Sequence, residues 1–259
     1  MSAAALSVRG INKRFGSLVV AADVDLALLQ GVRHALIGPN GAGKTTLINL
    51  MTGMLRPDAG RIFLDEADIT ALAPEERVRL GLARTYQINS LFPHLSAIEA
   101  VTLAVCERRR VAQTWWRRLT AYRDEIDEAY DILAALMLAP VCYRLTRELA
   151  YGQQRLLEIA LALASRPKVL LLDEPAAGVP REESKDLFAA IAGLSHDITL
   201  LFIEHDMELV FRFASRVTVM VGGSVLVEGS PQEIASDQRV RAVYLGKAST
   251  TGLSKTSRG

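Results

Sequence analysis

The sequence predicts an α/β fold built around a phosphate-binding loop, with a small antiparallel β-sheet and an inserted helical region. Three observations carry that prediction. Gly38-Pro39-Asn40-Gly41-Ala42-Gly43-Lys44-Thr45, followed by Thr46, fits G-x-x-x-x-G-K-[ST] between an apolar run and a helical pattern. Residues 169–172 are an apolar run that ends abruptly in Asp173-Glu174. Strand-type and helix-type patterns alternate over the last third, the rhythm of a sheet covered by helices.

Taken in order, residues 6–15 and 18–28 read as strands. Val24, Leu26 and Leu28 alternate with Asp23, Asp25 and Ala27, and Gly16-Ser17 supplies the turn. Phe15 stands just before that turn, where its ring is either an ordinary half-buried strand aromatic or a platform for an adenine base. Ala35-Leu36-Ile37 is a buried strand leading into the loop. Such a loop wraps phosphates in backbone N–H groups, while Lys44 reaches the β/γ oxygens and the Thr45 hydroxyl holds Mg²⁺. Leu47, Ile48, Leu50, Met51 and Leu55 then share one side of a helix, so the loop delivers phosphate to a helix N-terminus that favours an anion. After the turn at 56–60, Gly60 to Leu64 reads as a third strand of the small sheet. Pro74 opens a short helix through Leu80, and residues 82–87 read as a core strand ending in the polar Gln87.

From residue 88 to about 164 the pattern is helical. Ser96 with Glu99 forms a capping box that opens a helix running to Arg108-Arg109-Arg110. Residues 110–123 hold Trp115-Trp116 among basic side chains, readable as a nucleic-acid surface, a membrane-interface belt or a solvated helix packing two tryptophans. Residues 124–138 form an amphipathic helix with Ile126, Ala129, Tyr130, Leu133, Leu136 and Met137 at helical spacing. Leu149-Ala150-Tyr151-Gly152-Gln153-Gln154-Arg155 opens another, where a glycine at the helix start offers a second cluster of amides to an anion.

The strand at 169–172 then ends in two acids. Burying acids at a strand end is costly unless they hold a cation or do chemistry. Beside a phosphate loop, Asp173 is suited to organise Mg²⁺ and its waters, and Glu174 to act as general base or water-positioner at the γ-phosphate. Residues 181–194 are helical and 198–203 form a strand; His205 follows on the same sheet edge as Asp173, either structural or placed to sense the γ-phosphate. A hairpin over Gly222-Gly223 joins 216–221 to 224–227, a short helical pair occupies 229–247, and 248–259 is a polar tail expected to fray.

Composition narrows the function classes. The net charge of +1 argues against a broad nucleic-acid footprint. Cys106 and Cys142, the only cysteines, lie in no C-x-x-C pattern and read as unpaired core thiols of a reducing compartment. The first residues lack a signal-peptide pattern, and no apolar run approaches the ~18 residues of a membrane span. The chain is therefore expected to be cytosolic by itself, with any membrane role supplied by a partner.

A phosphate loop, Gln87 after a strand, the 149–155 helix start, Asp173-Glu174-Pro175 and a strand-end His205 occur in the order seen in ABC ATPases, a family that the chain resembles as far as Lys247. The resemblance implies one P-loop (RecA-like) ABC ATPase domain over 1–247. Residues 1–87 and 165–230 would form the nucleotide-binding core with a small antiparallel β subdomain, 88–164 the helical signature subdomain, and 231–259 a C-terminal helical segment and tail. It implies ATP and Mg²⁺ as ligands, with Thr45, Gln87 and Asp173 around the metal, Glu174, His205 and Lys44 in catalysis, and Phe15 stacked on adenine. It further implies that two such domains pack head to tail, so that Leu149, Ala150, Tyr151, Gly152 and Gln153 act on the partner's ATP. ATP would close the dimer, hydrolysis would open it, and Gln87 would couple the site to transport subunits.

Residues 83–87, Leu91-Phe92-Pro93, 149–155, 173–178 and 239–246 further resemble the ATPase subunits of branched-chain amino-acid importers of the LivG type. That branch implies a related or identical second ATPase, two transmembrane permease subunits, a solute-binding protein outside, and a peripheral place on the cytoplasmic face of the inner membrane, with no nucleic acid. The rival reading is a soluble ABC scaffold ATPase, as in iron–sulfur assembly, told apart by its partners. A nucleic-acid clamp would need a long coiled coil, and no sustained heptads occur. Three features depart from the family. Ala150 stands where most members have a serine bonded to the γ-phosphate, a contact worth roughly 1.5–3 kcal/mol. Pro180 replaces an Asp or Asn and offers neither side-chain acceptor nor N–H. Residues 108–123 carry no family motif and are expected to be a docking surface peculiar to this chain.

Overall fold

The alternation in the first 64 residues becomes an antiparallel sheet. β1 (Ala4–Phe15) pairs with β2 (Leu18–Leu29) on one side and with β4 (Ala59–Leu64) on the other, and β4 pairs with β5 (Ala67–Asp68). Val24, Leu26 and Leu28 point into the protein while Asp23, Asp25 and Ala27 face solvent, the period of two a half-buried strand requires. The computed structural model describes residues 4–85, 91–111 and 122–245. Tyr86, Gln87, Trp115, Trp116 and the tail after 245 lie outside the described residues.

The second sheet has the order β10-β9-β3-β8-β7-β6. Its strands are β3 (Arg33–Ile37), β6 (Leu82–Arg84), β7 (Val169–Asp173), β8 (Thr199–Ile203), β9 (Arg216–Val221) and β10 (Ser224–Gly229). All pairings are parallel except the β9–β10 hairpin. Every residue of β3 and β8 is buried, as expected of parallel strands covered on both faces. One face presents Leu36, Leu171, Leu201 and Ile203 to α1 (Lys44–Met51) and the antiparallel sheet. The other presents Ala35, Leu170, Leu172, Leu200 and Phe202 to a core shared with α3 (Ala97–Arg109), α4 (Arg123–Ala135), α5 (Tyr151–Leu163) and α6 (Arg181–Ala192). The remaining helices are α2 (Pro74–Leu80), α7 (Met207–Phe213), α8 (Pro231–Ser236) and α9 (Gln238–Leu245). Among the described residues no helix is long and apolar enough to cross a membrane.

Several expected elements change in detail. The helix after the loop stops at Met51, because Gly53 turns left-handed (φ 82°) and leaves Leu55 beyond the helix, half-buried. The strand expected over 82–87 ends at Arg84. α4 closes at Ala135, where Leu138 N–H bonds back to Leu133 O and Met137 takes φ 59°. Met137, beyond the helix, is consequently exposed; within it Tyr130 is exposed as well, and the helix instead buries Glu125, which the neighbouring Arg109 neutralises at 2.9 Å. The Ser96–Glu99 box forms as expected, with Ser96 N–H donating to Glu99 Oε2 at 2.8 Å. Cys106 and Cys142 are buried and unpaired.

β3 also buries His34 completely, with Nε2 2.7 Å from Thr218 Oγ1. Burial drives its pKa down to about 4, against the attraction of Glu228. Between the ordinary value of 6.5 and about 4 the unfolded chain therefore binds a proton that the folded chain refuses, so stability falls as pH drops through that window. At about 1.4 kcal/mol per unit, His34 should cost about 2 kcal/mol between pH 7 and pH 5. Urea unfolding at the two pH values should show this loss, and His34→Gln should remove it; an equal pH slope in both proteins would refute the assignment.

Candidate functional site

Parallel strands deliver their chain ends to one edge of the sheet, the place where α/β folds bind ligands. Here Leu36 pairs with Ile203 and Asp173 with Ile203, so the loop after β3 and the acids after β7 and β8 meet at one edge. The loop packs with little clearance. A Cβ at Gly38 would collide with the Met220 carbonyl oxygen and one at Gly43 with that of Val20, so neither position admits a side chain. Pro39, Asn40, Gly41 and Ala42 form the turn, closed by Ala42 N–H to Pro39 O at 3.1 Å. Lys44 is buried and curls along the loop, with Nζ donating to Gly38 O (2.8 Å) and Pro39 O (3.1 Å). Thr45 is exposed at the first turn of α1 and Thr46 is half-buried beside it.

Asp173 lies half-buried at the end of β7. Arg84 Nη2 donates to its Oδ2 at 2.8 Å, while Arg84 Nη1 donates to Asn49 Oδ1 on α1. Burial raises the Asp173 pKa, and the Arg84 charge opposes that shift. Glu174 differs from expectation: it is not buried, its side chain being 41% exposed. Its backbone holds φ 51°, a left-handed conformation costing ~1–2 kcal/mol for a residue with a Cβ. His205 Nε2–H donates to Glu174 Oε1 at 2.7 Å, so the two predicted catalytic groups meet directly. The acid that is truly buried is Glu204, 5% exposed, which accepts the N–H groups of Ala176 (3.0 Å) and His205 (3.2 Å) and whose pKa is raised by burial. It fixes the His205 backbone to the loop after Glu174. Sequence reasoning missed both Glu204 and Arg84, although a charged residue closing an apolar strand was the signal that found Asp173.

Leu149 is buried and Ala150 is the exposed N-cap of α5, its N–H accepted by Gln153 Oε1 at 3.1 Å. Tyr151 donates its hydroxyl to Ala177 O (3.3 Å), and a Cβ on Gly152 would meet Glu183 Oε2 at 2.8 Å. The segment's hydrogen bonds thus run to its own turn and to the loop after Glu174. Pro180 sits at the N-cap of α6 and supplies no side-chain cap. Phe15 is 49% exposed at the end of β1, with Lys13 Nζ 5.7 Å from its ring centroid.

The Thr45 hydroxyl and the Asp173 carboxylate are hard oxygen donors. Among the described residues no group of three or more His, Cys, Asp or Glu side chains could hold a metal alone. A pair of oxygens completed by phosphates and water suits Mg²⁺.

Residues 21–177 match the ABC transporter family, and residues 224–249 match the branched-chain amino acid ATP-binding cassette transporter family. The chain is 38% identical over 257 residues to the high-affinity branched-chain amino acid transport ATP-binding protein BraF of Pseudomonas aeruginosa, covering 96% of this chain and all of that one. Identity to LivG of Escherichia coli K12, of the same description, is also 38% over 257 residues, with the same coverage. The lipopolysaccharide export system ATP-binding protein LptB of Acidithiobacillus ferridurans is 38% identical over 242 residues, covering 93% of this chain and 96% of that one. Among solved structures, the ADP conformation of MJ1267, an ATP-binding cassette of an ABC transporter, superposes with a TM-score of 0.82 at 31% identity, covering 94% of this chain and 99% of that one.

Proposed function

The chain belongs to the ABC transporter family of ATP-binding proteins, and from that premise we propose that it powers import of branched-chain or other small amino acids or amides. The observation that carries the ATPase chemistry is the 2.7 Å contact between His205 and Glu174 on the sheet edge that also bears the phosphate loop. In this reading the adenine stacks on the exposed Phe15 ring, and the amides of residues 38–46 wrap the phosphates. Lys44 leaves its loop carbonyls for the β/γ oxygens. Thr45 and Asp173, with Gln87, would hold Mg²⁺, which offsets phosphate charge when bound. Glu174 orients the attacking water and takes its proton, while His205 fixes the Glu174 carboxylate and can turn toward the γ-phosphate.

The same reading gives the chain a head-to-tail partner, a related or identical ATPase, whose nucleotide would face residues 149–153. Ala150 brings no hydroxyl to that contact, so the Gly152 and Gln153 amides and side chain would carry it. The helical region at 88–164 would dock on two permease subunits at the cytoplasmic face of the inner membrane, with a solute-binding protein beyond them. The core would then comprise 1–87 and 165–230, and 231–259 would be an appendage.

The match of residues 224–249 supports amino-acid cargo. The lipopolysaccharide export relative, at the same 38% identity over a shorter stretch, makes lipid export the outcome to exclude. Tagged protein purified from detergent-solubilised membranes should carry two polytopic subunits and a second ATPase. Reconstituted in liposomes with a solute-binding protein, the assembly should take up leucine only with ATP. Recovery of soluble partners alone, or stimulation by lipopolysaccharide instead of an amino acid, would sink the reading.

A further inference from the structure

We propose that the tip of the β9–β10 hairpin sets the distance between the adenine platform and the phosphate loop, with Gly223 as the positioning residue. The inference rests on the reading above that adenine stacks on Phe15. A nucleotide is gripped at its base and at its phosphates, and the two grips reinforce each other only where their separation matches the molecule. Here the grips belong to different sheets. Phe15 pairs with Leu18 and Arg14 with Val19, so the ring rides on the ribbon of β1 and β2. The phosphate loop leaves the second sheet at the end of β3.

β9 lies beside β3, so its turn into β10 comes level with that loop. Gly223 bonds in both directions there. Its N–H donates to Ala42 O at 3.1 Å, and its carbonyl accepts the Ala22 N–H of β2 at 2.9 Å. The next residue adds a second tie, with Ser224 Oγ donating to Ala22 O at 3.2 Å. The ribbon also meets the loop directly, since the Val20 carbonyl faces Gly43 too closely to admit a side chain. A Cβ on Gly223 would lie 3.0 Å from the Val20 carbonyl carbon and 3.1 Å from its oxygen, so β2 would have to yield by a few tenths of an ångström. Gly222 is left-handed as well (φ 57°, against 85° at Gly223), yet a Cβ there would have nothing within 4 Å. The two neighbours therefore separate pressure on β2 from the strain of a left-handed residue. A competing account makes the hairpin a buttress of the phosphate loop alone. The accounts differ in which ligand suffers: a changed spacing harms a molecule held at both ends, and a loosened loop harms any phosphate.

ADP and pyrophosphate serve as the probes, each displacing a fluorescent ADP analogue from the full chain. Gly223→Ala should weaken ADP binding about tenfold, the order of one stacked base, and leave pyrophosphate within about twofold of wild type. Gly222→Ala should leave both ligands within about twofold. Ser224→Ala removes one tie and adds no atom, so it should weaken ADP about threefold with pyrophosphate unmoved, and it carries the test if Gly223→Ala does not fold. In a Phe15→Ala background, where the base has lost its platform, Gly223→Ala should have no further effect on ADP. Equal weakening of both ligands in Gly223→Ala or Ser224→Ala, or no weakening of ADP in either, overturns the spacing role. So does a Gly222→Ala loss as large as that of Gly223→Ala. ADP affinity unmoved by Phe15→Ala would instead remove the adenine reading itself, and failure of the wild type to bind ADP would remove the proposed function.

Discussion

Glu174→Gln should lower ATP turnover by about a thousandfold while leaving nucleotide affinity within about twofold of wild type. The expectation rests on what the substitution leaves in place. Glutamine has the same shape, and its Oε1 can still accept the hydrogen bond that His205 Nε2–H gives Glu174. The backbone bonds that hold the left-handed turn, Glu174 N–H to Ile203 O at 3.2 Å and Ala177 N–H to Glu174 O at 3.0 Å, are unaffected. Strain at φ 51° is the same for both side chains, so folding stability should hardly move. Only the basic carboxylate is lost. With binding intact and hydrolysis removed, ATP should hold two copies, or the chain and its partner ATPase, in a closed dimer detectable by size-exclusion chromatography. Turnover at the wild-type rate would show that another group activates the water.

The phosphate loop was legible in sequence because its conformation is local: glycine positions, lysine and hydroxyl lie within nine consecutive residues. The buried strands β7 and β8 were legible because both faces are covered, so they read as apolar runs, whereas β3 was legible only over its apolar end, Ala35 to Ile37, since it opens on the buried Arg33 and His34. What escaped depends on neighbours distant in the chain. Arg84 matters because Asn49 and Asp173 reach it from two other elements, and Glu204 because its carboxylate spans to Ala176. Glu125 is buried in α4 only because α3 brings Arg109 beside it, so periodicity placed it on the wet face and Tyr130 on the dry one. The exposure of Glu174 follows from a left-handed residue just after the strand, which turns its side chain out of the core that takes Leu172. An apolar run cannot announce such a turn.

Arg77 is the clearest case, and its loss carries the largest stability effect we expect: Arg77→Met should cost about 3–5 kcal/mol. The side chain is 1% exposed, the most thoroughly buried charge among the described residues apart from groups at the sheet centre. Its guanidinium gives every nitrogen to a main-chain carbonyl: Nε to Leu72 (3.1 Å), Nη1 to Leu50 (2.8 Å) and Met51 (2.7 Å), and Nη2 to Thr70 (2.9 Å). Burial lowers its pKa, with Asp68 pulling the other way, yet an arginine keeps its charge in proteins. Leu50 and Met51 are the last residues of α1, whose C-terminal carbonyls carry partial negative charge and have no partner within the helix. Arg77 therefore caps the far end of the helix whose first residue is Lys44. Gly53 makes room for it, since a Cβ there would lie 2.9 Å from Arg77 Nε. Methionine would fill much of the stem's volume, so the loss should come from interior carbonyls that lose their donor, each worth about 1–3 kcal/mol. Among the described residues, Leu50 O alone keeps a backbone partner, the Gly53 N–H at 3.2 Å. In a chain of this size such a change should lower Tm by about 10 °C. Urea unfolding should place it on the whole transition, and nucleotide affinity should fall with it because α1 is held less firmly. A loss below about 1 kcal/mol would mean that water takes over the four carbonyls, and that the phosphate helix does not depend on this clamp.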